Sequence, residues 1–263
     1  MGKKVPKIGL ALGGGGAKGL AHIGVLEVLQ ENEIPISAIA GTSMGALIGG
    51  MYALENDIDV VYEYVRQTVD GKLLPVFFDL PHGGGFSSGT RALKLIDAFV
   101  DEKTFRNTKI PFTAVATDLR SGKPVALESG PLATAIRASI SYPPVFDPVH
   151  VGKRVLVDGG IAAEVPVAQM RARGIDRVIA VNVDDDYRFN DGKNMTPAAL
   201  SRVSLKLLMR SVAACSSADA DVVVTPKVGD ISVWMDFGKL DDIILRGRKA
   251  TEKALPQIRA LLK

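Results

Sequence analysis

The sequence predicts an α/β fold of three layers, with a mostly parallel central sheet carrying helices on both faces. Three observations predict it. Short apolar runs alternate with helix-like stretches from Lys7 through Val183. Four consecutive glycines, Gly13 to Gly16, join the first such run to the first helix-like stretch. The second run passes straight into a Gly-x-Ser-x-Gly turn and then another helix-like stretch. In chain order, Lys7–Leu12 reads as a buried strand, followed by a helix reaching Gln30. Ile36–Ala40 reads as a strand, followed by a helix to Leu54. Asp57–Val69 and Arg91–Val100 read as helices, the second with Leu93, Ile96 and Val100 on one face. Phe112–Asp118, Lys153–Val157 and Arg177–Val183 read as strands. A long amphipathic helix over Thr196–Ala218, a short strand over Val222–Thr225 and a basic helix over Asp241–Leu262 close the chain. The whole of 1–263 is expected to form one domain, with core motifs in 7–183 and a helical C-terminal part in 196–263.

Composition narrows the function classes. A chain of 263 residues, 47% of them hydrophobic, can bury one sizeable core. The formal net charge of +3 is too small and too scattered to argue for nucleic acid. Arg202, Lys206 and Arg210 recur four apart and read as a solvated helix face. The single cysteine, Cys215, excludes an internal disulfide, fits a reducing compartment and reads as a packed helical thiol. Asp184–Gly192 reads as a solvated acidic loop without calcium-loop spacing. Ile34–Leu54 carries no charge and repeats G-x-x-x-G at Gly41, Gly45 and Gly49. Pro35, Ser37, Thr42, Ser43 and the glycines make strand, turn and buried helix the better reading than a membrane span. The basic N-terminus runs into glycines without a cleavage site, so no signal peptide is expected and the expected location is cytoplasmic. Leu73–Phe86 mixes large apolar residues with glycines. It reads as a loop tucked on the core or as a lid above Ser43.

Ser43 is the candidate nucleophile. A sharp strand-to-helix turn lifts its hydroxyl clear of the backbone, and Gly41 and Gly45 leave room for a substrate. The glycine-rich loop admits three anion-binding readings. A Walker A loop needs Ser or Thr after Gly-Lys, and Lys18 is followed by Gly19. A dinucleotide fingerprint is matched by Gly14, Gly16 and Gly19, but the next strand ends in Ala40-Gly41-Thr42-Ser43 without the ribose-binding acid. The third reading, an oxyanion hole beside the serine of the adjacent strand, is favoured. Of the three histidines, His22 reads as a packed helix residue, His82 as a loop residue and His150 as the end of a Pro-rich stretch. None has the context of a base. Asp158, at a strand end before Gly159 and Gly160, reads either as a turn former or as a carboxylate base.

Together these pieces resemble the patatin-like phospholipase family, its bacterial members in particular. The resemblance rests on the glycine loop, on Gly41-Thr42-Ser43-Met44-Gly45, on the block Ala138–Pro148, on Val157–Ile161 and on Val165-Pro166-Val167. It runs from about Lys7 to Val183, with a weaker match near Asp236–Leu262. It implies a lipid acyl ester hydrolase working through a Ser–Asp dyad, Ser43 as nucleophile and Asp158 as general base. Gly14, Gly15 and Gly16 would be the oxyanion donors, with Lys18, Gly19, Gly41, Gly45, Gly159 and Gly160 supporting the motifs. The implied partner is a phospholipid or other fatty acyl ester. A transient contact with a membrane surface is allowed for, and no metal, cofactor or nucleic acid is called for. Three positions depart from the family pattern: Gly13 where aspartate is frequent, Lys18 in place of arginine, and Glu164 where asparagine is frequent. The competing functions are a dinucleotide- or phosphate-binding protein using Gly14–Gly19, and a regulatory protein with the fold but no turnover.

Overall fold

The computed structural model describes residues 6–69, 80, 84–184 and 196–263, the side chains of residues 198 and 202 excepted. The strands are β1 (Ile8–Leu12), β2 (Ile36–Thr42), β3 (Phe112–Asp118), β4 (Pro124–Leu127), β5 (Val149–Val151), β6 (Arg154–Asp158), β7 (Arg177–Val181) and β8 (Val222–Val224). The α-helices are α1 (Ala21–Glu31), α2 (Met44–Glu55), α3 (Ile58–Val69), α4 (Thr90–Val100), α5 (Leu132–Ser139), α6 (Val167–Ala172), α7 (Pro197–Ser217) and α8 (Leu240–Ala260). The hydrogen-bonded order is β5-β6-β3-β2-β1-β7-β8, with β4 also on β3. The run β3-β2-β1-β7-β8 is parallel, while β4, β5 and β6 join antiparallel. The charge-free stretch 34–54 divides into β2, a turn and α2. Among the described residues no helix is long and apolar enough to cross a membrane.

Period-two alternation sorts the core. Leu10 and Leu12 of β1, Ile39 of β2, and Ile179 and Val181 of β7 face one layer, which holds α1, α2 and α8. Ala11, Ala38, Ala40, Val178 and Ala180 face the other layer, against Val167 and Met170 of α6 and Ala213 of α7. A one-residue slip would exchange the large and small faces, so register is strongly specified. The first layer is also closely packed. A methyl group on Gly24 of α1 would lie 2.0 Å from the Ile244 carbonyl oxygen of α8, and one on Gly247 of α8 would lie 2.1 Å from that of Ala21. The two helices therefore cross nearly backbone on backbone.

The ladder around β3 places the site. β4 pairs with Ala114–Thr117, overlapping the partners of both β2 and β6. A strand has only two edges, so β2 and β6 must share the edge that β4 leaves. On it Thr42, the last residue of β2, lies opposite Val115, and Asp158, the last of β6, lies opposite Ala116. The two strands run towards each other and their C-terminal ends meet.

Two expectations are corrected here. Cys215 is exposed rather than packed, because Ala213 and Ser217 are the buried positions of that turn of α7. Asp184 itself is not solvated: it is buried and bonded to Lys18. The remainder of the acidic segment, 185–192, lies outside the described residues, as do His82 and most of the 73–86 segment.

Candidate active site

Ser43 caps the N-terminus of α2 with φ 52° and ψ −120°, a positive-φ conformation that is strained for a residue with a Cβ. Neighbouring bonds hold it there. Its N–H donates to Ser139 Oγ at 2.9 Å, and that hydroxyl donates in turn to the Val115 carbonyl at 2.6 Å. Its carbonyl accepts the amides of Ala46 and Leu47 at 2.9 and 3.1 Å. The turn sits directly on the end of β1. A methyl group at Gly45 would meet the Leu12 and Gly13 carbonyl oxygens at 2.3 and 2.5 Å, and one at Gly41 would meet the Gly45 carbonyl oxygen at 2.2 Å. Any side chain at either glycine would push the turn off the sheet.

The Ser43 hydroxyl donates to Asp158 Oδ2 at 2.7 Å. Asp158 is fully buried, and its other oxygen accepts the Gly160 N–H at 2.8 Å. Its backbone N–H donates to the Ser141 carbonyl at 2.9 Å, which anchors the strand end to the 138–148 block. Burial pushes the Asp158 carboxyl up to about 6, against the opposing hydrogen bonds from Ser43 and Gly160. A carboxylate in that range is charged at neutral pH and still basic enough to take a hydroxyl proton transiently.

The glycine loop lies beside this pair. Gly15 and Gly16 have φ of 131° and 55°, which turns the chain sharply ahead of a 3-10 turn over Gly16–Leu20. Among the described residues neither of their amides has an acceptor, whereas the Gly14 N–H donates to the Glu164 carbonyl at 3.1 Å. Gly14 therefore leaves the set of oxyanion donors expected from the sequence, since its hydrogen already has a partner. The amide of Met44 opens α2 and lies among the helix N-terminal donors without an intrahelical acceptor.

The charged residues around the loop turn inward. Lys18 is fully buried, and its ammonium donates to Asp184 Oδ1 at 2.8 Å. It is not presented to a phosphate, which counts against the nucleotide reading. Lys206 is half-buried, with its ammonium held below the usual lysine range by burial and by Lys18. The helix face expected to be solvated thus turns in at Lys206, while Leu207 and Leu208 point out. Gly19 packs on Met44, where a methyl group would come within 2.5 Å of the side chain. Gly159 sits against the Val115 carbonyl, where there is likewise no room for a Cβ. His22 is fully buried with Nε2 bonded to the Gly13 carbonyl at 2.8 Å, and burial lowers its imidazole to about 4, so it is neutral and tethers the loop. His150 is exposed on β5.

Sequence reasoning passed over the support of the site. Ser139 and Ser141 fell within the recognised block without a role. Arg137 is buried and donates to the carbonyls of Ser88, Gly89 and Asp147 and to Ser141 Oγ, tying α5 to the segments on either side. A buried arginine preceding two buried serines by two and four positions is the signal that was available.

The chain matches the patatin-like phospholipase family over residues 10–171 and belongs to that family. An uncharacterised NTE family protein of Mycobacterium bovis is 38% identical over 183 residues, which cover 70% of this chain and 51% of the relative. The chain thus spans about half the length of that relative. A patatin-like phospholipase domain-containing protein of Caenorhabditis elegans is 37% identical over 67% of this chain and 13% of its own length. A protein of Yarrowia lipolytica named lysophospholipase NTE1 is 28% identical over 96% of this chain and 20% of its own length. The solved structure of VipD from Legionella pneumophila shares the fold, with a TM-score of 0.56 over 97% of this chain and 67% of that one, at 14% identity.

Proposed function

We propose that this protein is a serine hydrolase of lipid acyl esters that works through a Ser43–Asp158 dyad. The observation that carries the reading is the 2.7 Å hydrogen bond from the Ser43 hydroxyl to a fully buried carboxylate, made from a strained strand-to-helix turn. Ser43 Oγ attacks the acyl carbonyl carbon as its proton passes to Asp158 Oδ2. The resulting oxyanion is met by the amides of Gly15, Gly16 and Met44, and by the positive end of α2. The carbon–oxygen bond to the alcohol then breaks, and the alcohol leaves with the proton from Asp158. Water attacks the acyl-serine in the second half, again giving its proton to Asp158, and the fatty acid departs as Ser43 is regenerated.

The fatty acyl substrate class is supported by family membership and by the name of the Yarrowia relative. It is also supported by apolar side chains on segments that touch the site. Ile161 follows Gly160 and is exposed, as are Leu207 and Leu208 of α7, whose neighbour Met209 packs on Gly160. Val233 accepts the Ala17 amide at the glycine loop, Trp234 meets Tyr142 edge-on at 5.2 Å, and Met235 is 74% exposed. Labelling with a fluorophosphonate, followed by a panel of fatty acyl esters and lysolipids, tests the proposal. The wild type should label and hydrolyse, and Ser43→Ala should do neither. Undiminished hydrolysis by Ser43→Ala would overturn it.

A further inference from the structure

Between the two loops of the site lies a group that the dyad does not use. Glu164 is 1% exposed, and among the described residues neither of its carboxyl oxygens has a hydrogen-bond partner. Its place is defined by the glycines around it. A methyl group added at Gly14 would meet Glu164 Oε1 at 2.5 Å. One added at Gly160 would meet Glu164 Oε2 at 2.1 Å and Asp158 Oδ1 at 3.1 Å. The Glu164 carboxyl therefore fills the space between the glycine loop and the acid loop and approaches Asp158. Its backbone is fixed on three sides: the Glu164 carbonyl takes the Gly14 amide at 3.1 Å, the Ala163 carbonyl takes the Thr42 hydroxyl at 2.8 Å, and the Val165 amide donates to Ser216 Oγ at 3.0 Å.

The surrounding charges decide its ionisation. The titratable groups facing it are Asp158 at the end of β6, Asp184 after β7, Lys18 on the 3-10 turn and the Tyr142 phenol, with Lys206 of α7 close to Lys18 and Asp184. Two carboxyls, Asp158 and Asp184, thus act on Glu164, and the buried Lys18 ammonium that would offset them already bonds to Asp184 at 2.8 Å. Among the described residues no side chain donates to Glu164; the Gly14 amide, spent on the Glu164 backbone carbonyl, and the Lys18 charge only partly offset its burial. An unpaired buried carboxylate is far costlier than the neutral acid.

We propose that Glu164 is a positioning residue of the Ser43–Asp158 site that acts in its protonated form, spacing the glycine loop from the acid loop without placing a second negative charge beside Asp158. Burial first, and then the charges of Asp184 and Asp158, hold its carboxyl well above the usual range, in keeping with this role. As pH rises past the folded value the proton is lost, and the carboxylate can reach water only by parting the two loops. The sign of the stability effect follows. A carboxyl raised in the fold contributes stability that is fully present below its unfolded value, near ~4.3, and is lost progressively as pH rises towards the folded value.

The inference rests on the dyad reading, and its test includes readouts that need no turnover. The thermal midpoint and the ester-hydrolysis rate of the wild type and of Glu164→Gln would be followed from pH 5 to pH 10. The midpoint of Glu164→Gln should rise above that of the wild type by a margin that widens with pH. Its kcat at neutral pH should fall by no more than about tenfold, and its alkaline decline should be weaker than that of the wild type. A pH-independent midpoint difference, or a loss of about a thousandfold in kcat with the decline unchanged, would overturn the proposal. Should Glu164→Gln not fold, infrared spectroscopy of wild type grown with carboxyl-13C glutamate decides it. A protonated glutamic acid band at pH 7 is expected, and its absence overturns the proposal. Failure of the dyad itself would appear separately, as labelling that survives Ser43→Ala.

Discussion

Replacing Asp158 by Asn separates a catalytic base from a turn former. Asn keeps the shape and an oxygen that can accept the Gly160 N–H, now made at 2.8 Å. It cannot take the Ser43 proton. The rate per folded molecule should fall by ~10²–10⁴, the scale of a positioned general base. Stability should move in the opposite direction. Burial lifts the Asp158 carboxyl from 3.8 to about 6, so the fold favours the neutral acid. At 1.36 kcal/mol per pH unit, ionised Asp158 costs the native state roughly 3 kcal/mol at neutral pH. That contribution is absent below the unfolded value, opens as pH rises through the interval up to about 6, and is constant above it. Asn does not titrate. Its variant should melt roughly 6–12 °C above the wild type at pH 7, and within a degree or two of it near pH ~4. Differential scanning calorimetry at several pH values, with kcat measured on the same samples, reads both effects. The wild-type kcat should also fall on the acid side with an apparent pKa near 6. A variant that melts below the wild type at neutral pH yet keeps its turnover would show that Asp158 serves the turn, and the reasoning would fail.

Other expected outcomes follow from neighbouring contacts. Ser139→Ala removes the acceptor of the Ser43 N–H and leaves the strained turn less restrained, so kcat should fall by roughly tenfold while KM changes little, by steady-state kinetics. Lys18→Met leaves Asp184 buried without its cation and should lower stability by about 3–5 kcal/mol in urea unfolding, with Lys18→Met/Asp184→Leu recovering much of it. His150→Asn should leave kcat within about twofold. His22→Gln should lower the thermal midpoint yet keep the acid limb of the pH profile in place, because a neutral imidazole bonded to a carbonyl supplies no base. Gly247→Ala drives a methyl group to 2.1 Å from the Ala21 carbonyl oxygen and should cost at least ~1–3 kcal/mol by calorimetry, with kcat per folded molecule unchanged.

The parallel half of the fold was legible because its strands are buried on both faces and read as continuous apolar runs, as in Ile8–Leu12 and Arg177–Val181. The long helices announced themselves by period, α4 through Leu93, Ile96 and Val100. What escaped notice was short. β4 and β5 hold four and three residues and α6 holds six, too few to establish a period, and their existence depends on the partner that each one meets. Ser43 and Asp158, which the structure brings within 2.7 Å of each other, could be singled out because motif spacing carries them. Glu164, Ser139 and Arg137 could not be assigned roles, because each acts through a segment remote in sequence: Gly14, Ser43 and Gly89 respectively. Lys18 could be placed in its motif, but its partner could not, because only the fold brings Asp184 to it from 166 residues away.

The antiparallel turn of the sheet accounts for the direct contact between serine and carboxylate on which the proposed dyad rests. With neighbouring parallel strands, side chains at two C-terminal ends lie side by side, about 4.8 Å or more apart across the sheet, and an imidazole can span the gap. Here β6 runs against β2 on the same edge of β3, and their last residues fall opposite consecutive positions, Val115 and Ala116. The serine turn and the acid thus approach end to end, and 2.7 Å between Ser43 Oγ and Asp158 Oδ2 leaves no room for a ring. Direct contact gives up the spacer that brings a basicity near neutrality. In the proposed dyad the carboxyl gains that basicity from burial instead, at the end of β6 and beneath the acid loop. On this argument the antiparallel ladder and the depth of burial form one requirement. A substitution that admits water to Asp158 without breaking its bond to Ser43 should therefore shift the acid limb of the rate profile from about 6 towards 3.8, even where the geometry is unchanged.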